Sequence, residues 1–218
     1  MKGTIEVDNK IRRHKNIGNN NLVPLPLLKR NNYFYGKLLT VDDFQTEQNY
    51  FINKQRLINR VLFGMGVADG LEVKEDEPED VIRLSEGFAL DGYGREVVLS
   101  QPVRFDLNKK VIPKDIGTTR DLFVYVVYEE KKVDPVPRAL VAGEPGEEYA
   151  NIAEGAKAEI SLSLPDSSSI DKIVLAKVTV RAEGSKISVC QIDNSATVNG
   201  VQLRKVVFGG KNHSLELG

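Results

Sequence analysis

The stretch "YFYGKLLTVDDFQTEQNYFINKQRLINRVLFGMGVADGLEV", residues 33–73, predicts one long helix between an aromatic lead-in and a β-strand. Thr40 is a good N-cap, and Asp43 three residues later completes a pattern typical of a capping box. Gly64 is the expected C-cap, with Gly66 as a second position where the helix can end. Such a helix is roughly 35 Å long at about 1.5 Å per residue.

The apolar stripe of this helix, residues 40–64, is narrow. Its large apolar residues recur every seven positions at Phe44, Phe51 and Ile58. The positions that would widen the stripe are polar: Glu47, Gln48, Lys54 and Gln55. A helix lying on its own sheet usually has an apolar face of about 100°. The pattern indicates either an interface seam that a neighbouring subunit covers, with Arg56 and Arg60 as ion-pair candidates, or an amphipathic helix on a small sheet.

Residues 1–39 are typical of an extended arm with an aromatic lead-in. Pro24 and Pro26 disfavour a helix and suit an extended chain. The apolar residues around them that are further interface candidates are Val23, Leu25 and Leu27. These side chains need a surface to cover them, either on the body of the same chain or on a neighbouring subunit.

Residues 65–193 predict an antiparallel β body, beginning with a turn at Asp69–Gly70. The segment "ALDGYGREVVL", residues 89–99, predicts a hairpin. Its expected positive-φ positions are Asp91, Gly92 and Gly94. The acidic run after the first strand contains Glu75, Asp76, Glu77, Glu79 and Asp80 and is interpreted as a solvated loop around Pro78, because it does not match a calcium-binding loop.

The apolar run "RDLFVYVVYEE", residues 120–130, predicts a central strand that Pro135 and Pro137 end. Residues 138–157 are then expected to form a long irregular loop, followed by further alternating strands. Residues 194–218 are expected to form a C-terminal extension. The predicted fold is therefore mainly β, an antiparallel sandwich or barrel-like body preceded by an extended N-terminal arm and one long α-helix.

Composition excludes several functional classes. Of the 218 residues, 30 are Lys or Arg and 31 are Asp or Glu, so a net charge of −1 gives no electrostatic case for nucleic acid. We expect no direct membrane span, because no stretch approaches 18 apolar residues, and the N-terminus lacks the apolar core of a signal peptide. We therefore expect a protein made in the cytoplasm.

The residues that carry most enzyme chemistry are scarce. The two histidines, His14 and His213, lie in terminal segments, and the single Cys190 is expected to be a buried small hydrophobe in a strand. "GMGVADG" follows a helix and precedes a strand, the reverse of a phosphate-binding loop. We therefore predict no catalytic residue, no metal site and no cofactor.

Residues 33–73 resemble a segment of proteins from contractile phage-tail-like particles, the extracellular contractile injection systems and related tail clusters. The positions that carry the resemblance are Tyr33, Phe34, Gly36, Leu38, Leu39, Thr40, Asp43, Phe44, Glu47, Gln48, Tyr50, Lys54, Arg56, Asn59, Arg60, Gly64, Gly66, Val67, Gly70, Leu71 and Val73. "GFALDGYGREVVL" (87–99) and "VYEEKKVDPVP" (127–137) are also similar to stretches of those proteins. The chain departs from the pattern at Ala68, where a cysteine or similar residue is usual, and lacks a histidine near Asn59 or Leu62.

The resemblance implies a structural, non-enzymatic subunit of the baseplate, fibre or cage region of a tail-like particle. Its expected partners are copies of itself and other tail or baseplate proteins. Two alternatives stay open. One is a receptor- or glycan-binding β module of a tail fibre that uses residues 131–157 as its contact surface. The other is a small carboxylate-based cell-wall hydrolase, for which Glu47 is the candidate carboxylate.

Overall fold

The structure, a computed structural model, describes residues 23–110, 118–137, 147–166, 169–183, 186–195, 197–198 and 201–202. Its architecture is mainly antiparallel β, with one long helix before the strands, which confirms the predicted fold class. His14 and His213 lie outside the described residues. Among the described residues, no helix combines the length and apolarity that a membrane crossing requires.

The long helix α1 spans Val41–Ile58, with Thr40 as its N-cap in extended conformation. The helix continues beyond Ile58 as a turn of π-helix, Asn59–Phe63, so it reaches Phe63 as predicted, although its last turn is not α-helical. The N–H of Gly64 donates to the carbonyl of Asn59 at 3.0 Å, and Gly64 ends the helix with a φ of 77°. A left-handed glycine is a common way to stop a helix.

The β body follows directly. Its strands are β1 (Gly66–Gly70), β2 (Val73–Asp76), β3 (Val81–Leu84), β4 (Gly87–Leu90), β5 (Glu96–Leu99), β6 (Val103–Asp106), β7 (Thr119–Pro137), β8 (Glu147–Ser161), β9 (Lys172–Glu183), β10 (Lys186–Asp193), β11 (Thr197–Val198) and β12 (Val201–Gln202), with a short helix α2 (Leu107–Lys110) after β6. The sheets have the orders β1-β4-β5, β2-β3-β6, β10-β9-β7-β8 and β11-β12, and every pairing is antiparallel.

One hydrophobic core joins the three larger sheets. Side chains from each of them are fully buried, among them Val97 of β5, Ile82 of β3 and Val124 of β7. Leu107 of α2 lies in the same core and is fully buried. The strands therefore form one body around a shared interior, and α1 contributes no buried residue to it.

The predicted hairpin is present as β4 and β5, with Leu90 opposite Glu96. Gly94 has the expected positive φ, 79°, but the expectation that Asp91 and Gly92 also do is wrong. Gly92 is needed for close approach instead, because a Cβ there would lie 2.5 Å from the Cβ of Ile170. The N–H of Gly92 donates to the carbonyl of Ile170 at 2.6 Å.

The longest strands correct two expectations. Strand β7 continues past Pro135 and ends at Pro137, and residues 147–157 of the expected loop form most of β8. Strand β9 pairs with β7 as far as Val127, so the outer part of β7 has a paired neighbour on one side, β8. A proline is tolerated in such a strand when its nitrogen faces away from the pairing partner.

Three smaller expectations also change. Lys74–Asp76 of the acidic run belong to β2, and the turn follows at 77–80. The first turn of the body has positive φ at Gly70 and Leu71. It therefore lies one residue later than the turn expected at Asp69–Gly70. Cys190 is exposed, because a bulge between Val189 and Gln191 leaves it without a Cα partner in the ladder with β9 and shifts the alternation of the strand.

Candidate assembly interface

The turn between the arm and α1 is held by a cluster around Asp43. The backbone N–H and the hydroxyl of Thr40 donate to Oδ2 of Asp43 at 3.0 and 2.9 Å, and Lys37 Nζ lies 2.8 Å from Oδ1. The Lys37 hydrogen bond, followed by the Thr40 bonds, lowers the pKa of Asp43 to about 2. Gly36, with a φ of 82°, lets the chain reverse, and the N–H of Lys37 donates to the carbonyl of Phe34 at 3.1 Å.

The arm runs antiparallel along α1. The side-chain amide of Asn31 donates to the carbonyl of Asp43, near the start of the helix. A guanidinium N–H of Arg60 donates to the carbonyl of Pro24 at 3.3 Å, near its end. Arg60 thus contacts the arm of its own chain, and its role as an interface ion-pair candidate stays a prediction. We call residues 23–63 the arm–helix unit.

The arm–helix unit leaves its predicted interface side chains open to solvent. Phe44 and Phe51 are 57% and 59% exposed, and Ile58 is 37% exposed. On the arm, Leu25 and Leu27 are 75% and 94% exposed, whereas Val23 is half-buried. Among the described residues, fifteen of the twenty-one large exposed hydrophobics lie between residues 25 and 63. Exposed apolar surface of this density is typical of an interaction site.

A polar joint connects the end of α1 to the body. Asn59 is buried, and its side-chain amide donates to the carbonyl of Gly94 at 3.0 Å and to Glu96 Oε1 at 3.2 Å. Gln55 donates to Asn59 Oδ1 at 3.0 Å. A Cβ on Gly94 would lie 2.1 Å from the carbonyl oxygen of Arg56, so the helix backbone sits directly on the turn of the β4–β5 hairpin.

Two arginines complete the joint. Arg56 lies over the ring of Tyr128 at 5.7 Å, and its NH2 is 3.6 Å from Glu130 Oε1. Arg56 therefore contacts the body of its own chain, and its role as an interface ion-pair candidate stays a prediction. Arg95 approaches the same Tyr128 ring at 4.8 Å and pairs with the buried Asp91 at 2.5 Å. Burial and the carboxylates around the Tyr128 hydroxyl raise the pKa of that phenol.

A cleft of about 470 Å³ opens beside the joint. One wall is the α1 face that carries Phe51, Ile52 and Ile58, and the opposite wall includes Arg95 and Glu154. The cleft combines an apolar wall with stacked guanidinium groups and carboxylates, which suits an aromatic or amphipathic group of a partner. Among the residues that the structure describes, no three His, Cys, Asp or Glu side chains are grouped so that they could hold a metal ion.

The structure brings some of the predicted residues together and separates others. Thr40 and Asp43 form the capped start of the helix, and Gly94 sits at the joint. Gly66, with a φ of 154°, begins β1, and Gly92 lies against Ile170. The residues that the sequence analysis missed are Asn59, Arg95, Tyr128 and Tyr35. Asn59 carried one usable signal, since it and Arg60 are the two polar residues inside the apolar segment "LINRVLF", residues 57–63.

No protein-family model matches this chain, and a comparison with the curated proteins finds no match. Among solved structures, a chain of the type VI secretion system TssK–TssF–TssG baseplate subcomplex is 10% identical at a TM-score of 0.45, over 79% of this chain and 62% of that chain. A chain of the type VI secretion system baseplate complex is 10% identical at a TM-score of 0.40, over 81% and 62%.

The crystal structure of TssK is 14% identical at a TM-score of 0.40, over 78% of this chain and 42% of that chain. This chain thus spans 62% or less of the length of the three chains that it resembles. Likenesses of this degree do not establish a shared family or a shared function.

Proposed function

We propose that this protein is a structural, non-enzymatic subunit of a contractile, tail-like injection particle. In this proposal it associates with copies of itself and with other baseplate proteins through the arm–helix unit, in the baseplate, fibre or cage region. The resemblance of residues 33–137 to proteins of such particles supports the kind of assembly. The concentration of exposed apolar side chains in the arm–helix unit is the observation that carries the proposal.

The geometry of α1 supports a role in association. Its 18 residues span about 27 Å, and Phe44, Phe51 and Ile58 lie along one face because positions seven apart nearly superimpose on a helix. A standard interface buries about 800 Å² on each partner. A face of this length, together with the exposed arm beside it, is large enough to contribute most of such an area.

The two alternatives receive less support. The binding-module alternative uses residues 131–157, of which 131–137 and 147–157 belong to the paired strands β7 and β8. The hydrolase alternative uses Glu47, which stands among exposed apolar side chains of α1 and does not line the cleft. No specific observation favours either function.

The proposal is tested by the mass of the protein in solution. Light scattering coupled to size exclusion should give a defined oligomer for the unmodified protein at micromolar concentration. Phe51→Asp should shift the mass to the monomer with an unchanged β-sheet circular dichroism signal, because it places a charge in the proposed interface. Leu162→Asp is a matched control, since Leu162 is 56% exposed on the body and should keep the oligomer. A monomer at all concentrations for the unmodified protein would contradict self-association.

A further inference from the structure

The arm–helix unit ends in an aromatic tip that its own chain leaves open. The tip comprises residues 33–41, and its exposed large side chains are Tyr33, Phe34, Tyr35, Leu38, Leu39 and Val41. Tyr35 is the extreme case, with an exposed fraction of 106%, and Phe34 beside it is 64% exposed. Both lie in the turn that Gly36 closes, just before the start of α1.

An ion pair and hydrogen bonds around Asp43 hold the turn that carries the tip. Lys37 is paired with Asp43 and lies 5.4 Å from the centre of the Tyr33 ring. Thr40 and Asn31 add hydrogen bonds to the carboxylate and the carbonyl of the same Asp43. A side chain presented by a fixed turn binds with less loss of conformational entropy than one on a flexible chain.

The cleft beside the joint has the chemistry that a tyrosine side chain requires. Phe51 and Ile52 offer an apolar wall to the ring, while Arg95 on the opposite side of the cleft already lies over the rings of both Tyr93 and Tyr128. Glu96 and Glu154 also line the cleft and can accept a hydrogen bond from a phenol hydroxyl. Its volume of about 470 Å³ accommodates one aromatic side chain and part of the turn that carries it.

The tip cannot reach the cleft of its own chain. The tip leads into α1 and the cleft lies beside the other end of the same helix, and about 21 Å of helix at 1.5 Å per residue separate Val41 from Gln55. The tip lies at the start of α1, whereas the cleft lies beside its last two turns. A tip that fills this cleft would therefore be that of a second copy of the chain, which carries a side chain of the matching chemistry.

We propose that Tyr35 in the aromatic tip of one copy occupies the cleft of the next copy. This inference rests on the proposed self-association and names which surfaces meet. Two different patches contact each other in this arrangement, so the interface is heterologous, and repetition produces a ring where the rotation closes and an open chain where it does not. The tip of one copy then covers Phe51 and Ile52 of its neighbour.

A mixing experiment with single cysteines tests this arrangement. In a Cys190→Ser background, which removes the exposed native thiol, one preparation carries Tyr35→Cys and a second carries Lys54→Cys, at the rim of the cleft. Under mild oxidation the mixture should form a disulfide-linked dimer, and each preparation alone should form much less. Tyr35→Cys mixed with Glu154→Cys probes the opposite rim, because a disulfide forms only where the two Cβ atoms approach to about 4 Å.

The affinity of association supplies a second measurement. Tyr35→Ala should raise the dissociation constant of self-association at least about tenfold, as the removal of a central aromatic side chain usually does. Tyr149→Ala, which changes a 46% exposed tyrosine on the β7–β8 hairpin, should leave that constant unchanged.

The possible outcomes separate this inference from the proposed function. If light scattering reports an oligomer but neither cysteine mixture cross-links and Tyr35→Ala associates normally, then the tip does not occupy the cleft, and self-association stands. If Tyr35→Cys cross-links efficiently by itself, two tips meet, and the head-to-tail arrangement is wrong. If the unmodified protein is a monomer throughout, both proposals fail.

Discussion

The β body and the arm–helix unit use opposite means to hold their structure. In the body, side chains from three sheets meet in one core, and many of them have no exposed surface at all. In the arm–helix unit, no residue of α1 is buried, and the contacts that fix it are hydrogen bonds and ion pairs at its two ends. Stability resides in the body, whereas the exposed apolar surface resides in the unit attached to it.

This difference suggests that the body provides the folding stability and the arm–helix unit provides the surface for association. Burial of apolar surface is the main stabilising contribution to folding, so the body is expected to fold without help from α1. The unit makes few apolar contacts with the body, and regions of that kind open locally at lower free energy. A neighbouring subunit that covered the apolar face would stabilise the unit through the same hydrophobic effect.

The largest effect is expected from a change in the body. Leu175 of β9 is fully buried in the common core, so Leu175→Ala should lower the free energy of unfolding by about 2–5 kcal/mol. Leu27→Ala is the matched control on the arm, where the side chain is 94% exposed. This change should alter the free energy of unfolding by less than about 0.5 kcal/mol. Chemical denaturation of both variants measures the difference. Equal losses of unfolding free energy in the two variants would show that Leu27 of the arm contributes to the core as much as Leu175 does.

Sequence reasoning succeeded where the decisive interaction is local. The Thr40 and Asp43 cap joins residues three apart, and the hairpin that contains Gly94 depends on its own turn. Residue type at a short spacing is sufficient information for structures of this kind. The capped helix, the hairpin and the β class of the body could all be predicted for that reason.

The joint could not be predicted, because its contacts link distant parts of the chain. Asn59 and Gly94 are 35 residues apart, and Arg56 and Tyr128 are 72 residues apart. Nothing near Arg56 in the sequence shows which aromatic ring it will meet. The continuation of β7 past Pro135 could not be predicted for a similar reason, since whether a strand tolerates proline depends on which of its edges is paired.

Two glycines at positive φ, Gly94 at the joint and Gly36 in the turn before α1, allow the joint to be tested by substitution with alanine. Gly94→Ala would place a Cβ 2.1 Å from the carbonyl of Arg56, whereas Gly36→Ala at a similar φ meets nothing within 4 Å. Both changes carry the backbone cost of about 1–2 kcal/mol. Gly94→Ala should cost about 1–3 kcal/mol more, because it also overpacks the contact with α1.

Chemical denaturation gives the two free energies, and amide hydrogen exchange locates the effect. Gly94→Ala should accelerate exchange in the second half of α1 and leave β9 protected. Gly36→Ala should affect the turn around it and leave the joint intact. If both variants lose the same stability and exchange alike, then the close approach of the hairpin to the helix is not what holds the two regions together.

The smallest effect is expected at the cap, where it depends on pH. The pKa of Asp43 is lowered from 3.8 to about 2, so the folded state prefers the ionised carboxylate. The stabilisation from this group is therefore complete above about pH 3.8 and is lost as the pH falls toward 2. Carboxyl NMR titration of Asp43 should give a midpoint near pH 2, and the amide signal of Thr40 should move with the same midpoint.

Lys37→Gln identifies the cause of this shift. The Lys37 hydrogen bond is the largest contribution to the lowered pKa, so its removal should raise the Asp43 midpoint toward 3.8 while the Thr40 bonds keep it below that value. The body should not respond, because none of its core side chains contacts this cluster. An unchanged midpoint in Lys37→Gln would mean that the helix cap alone holds the carboxylate, and that the turn leading to the aromatic tip is less constrained than the ion pair implies.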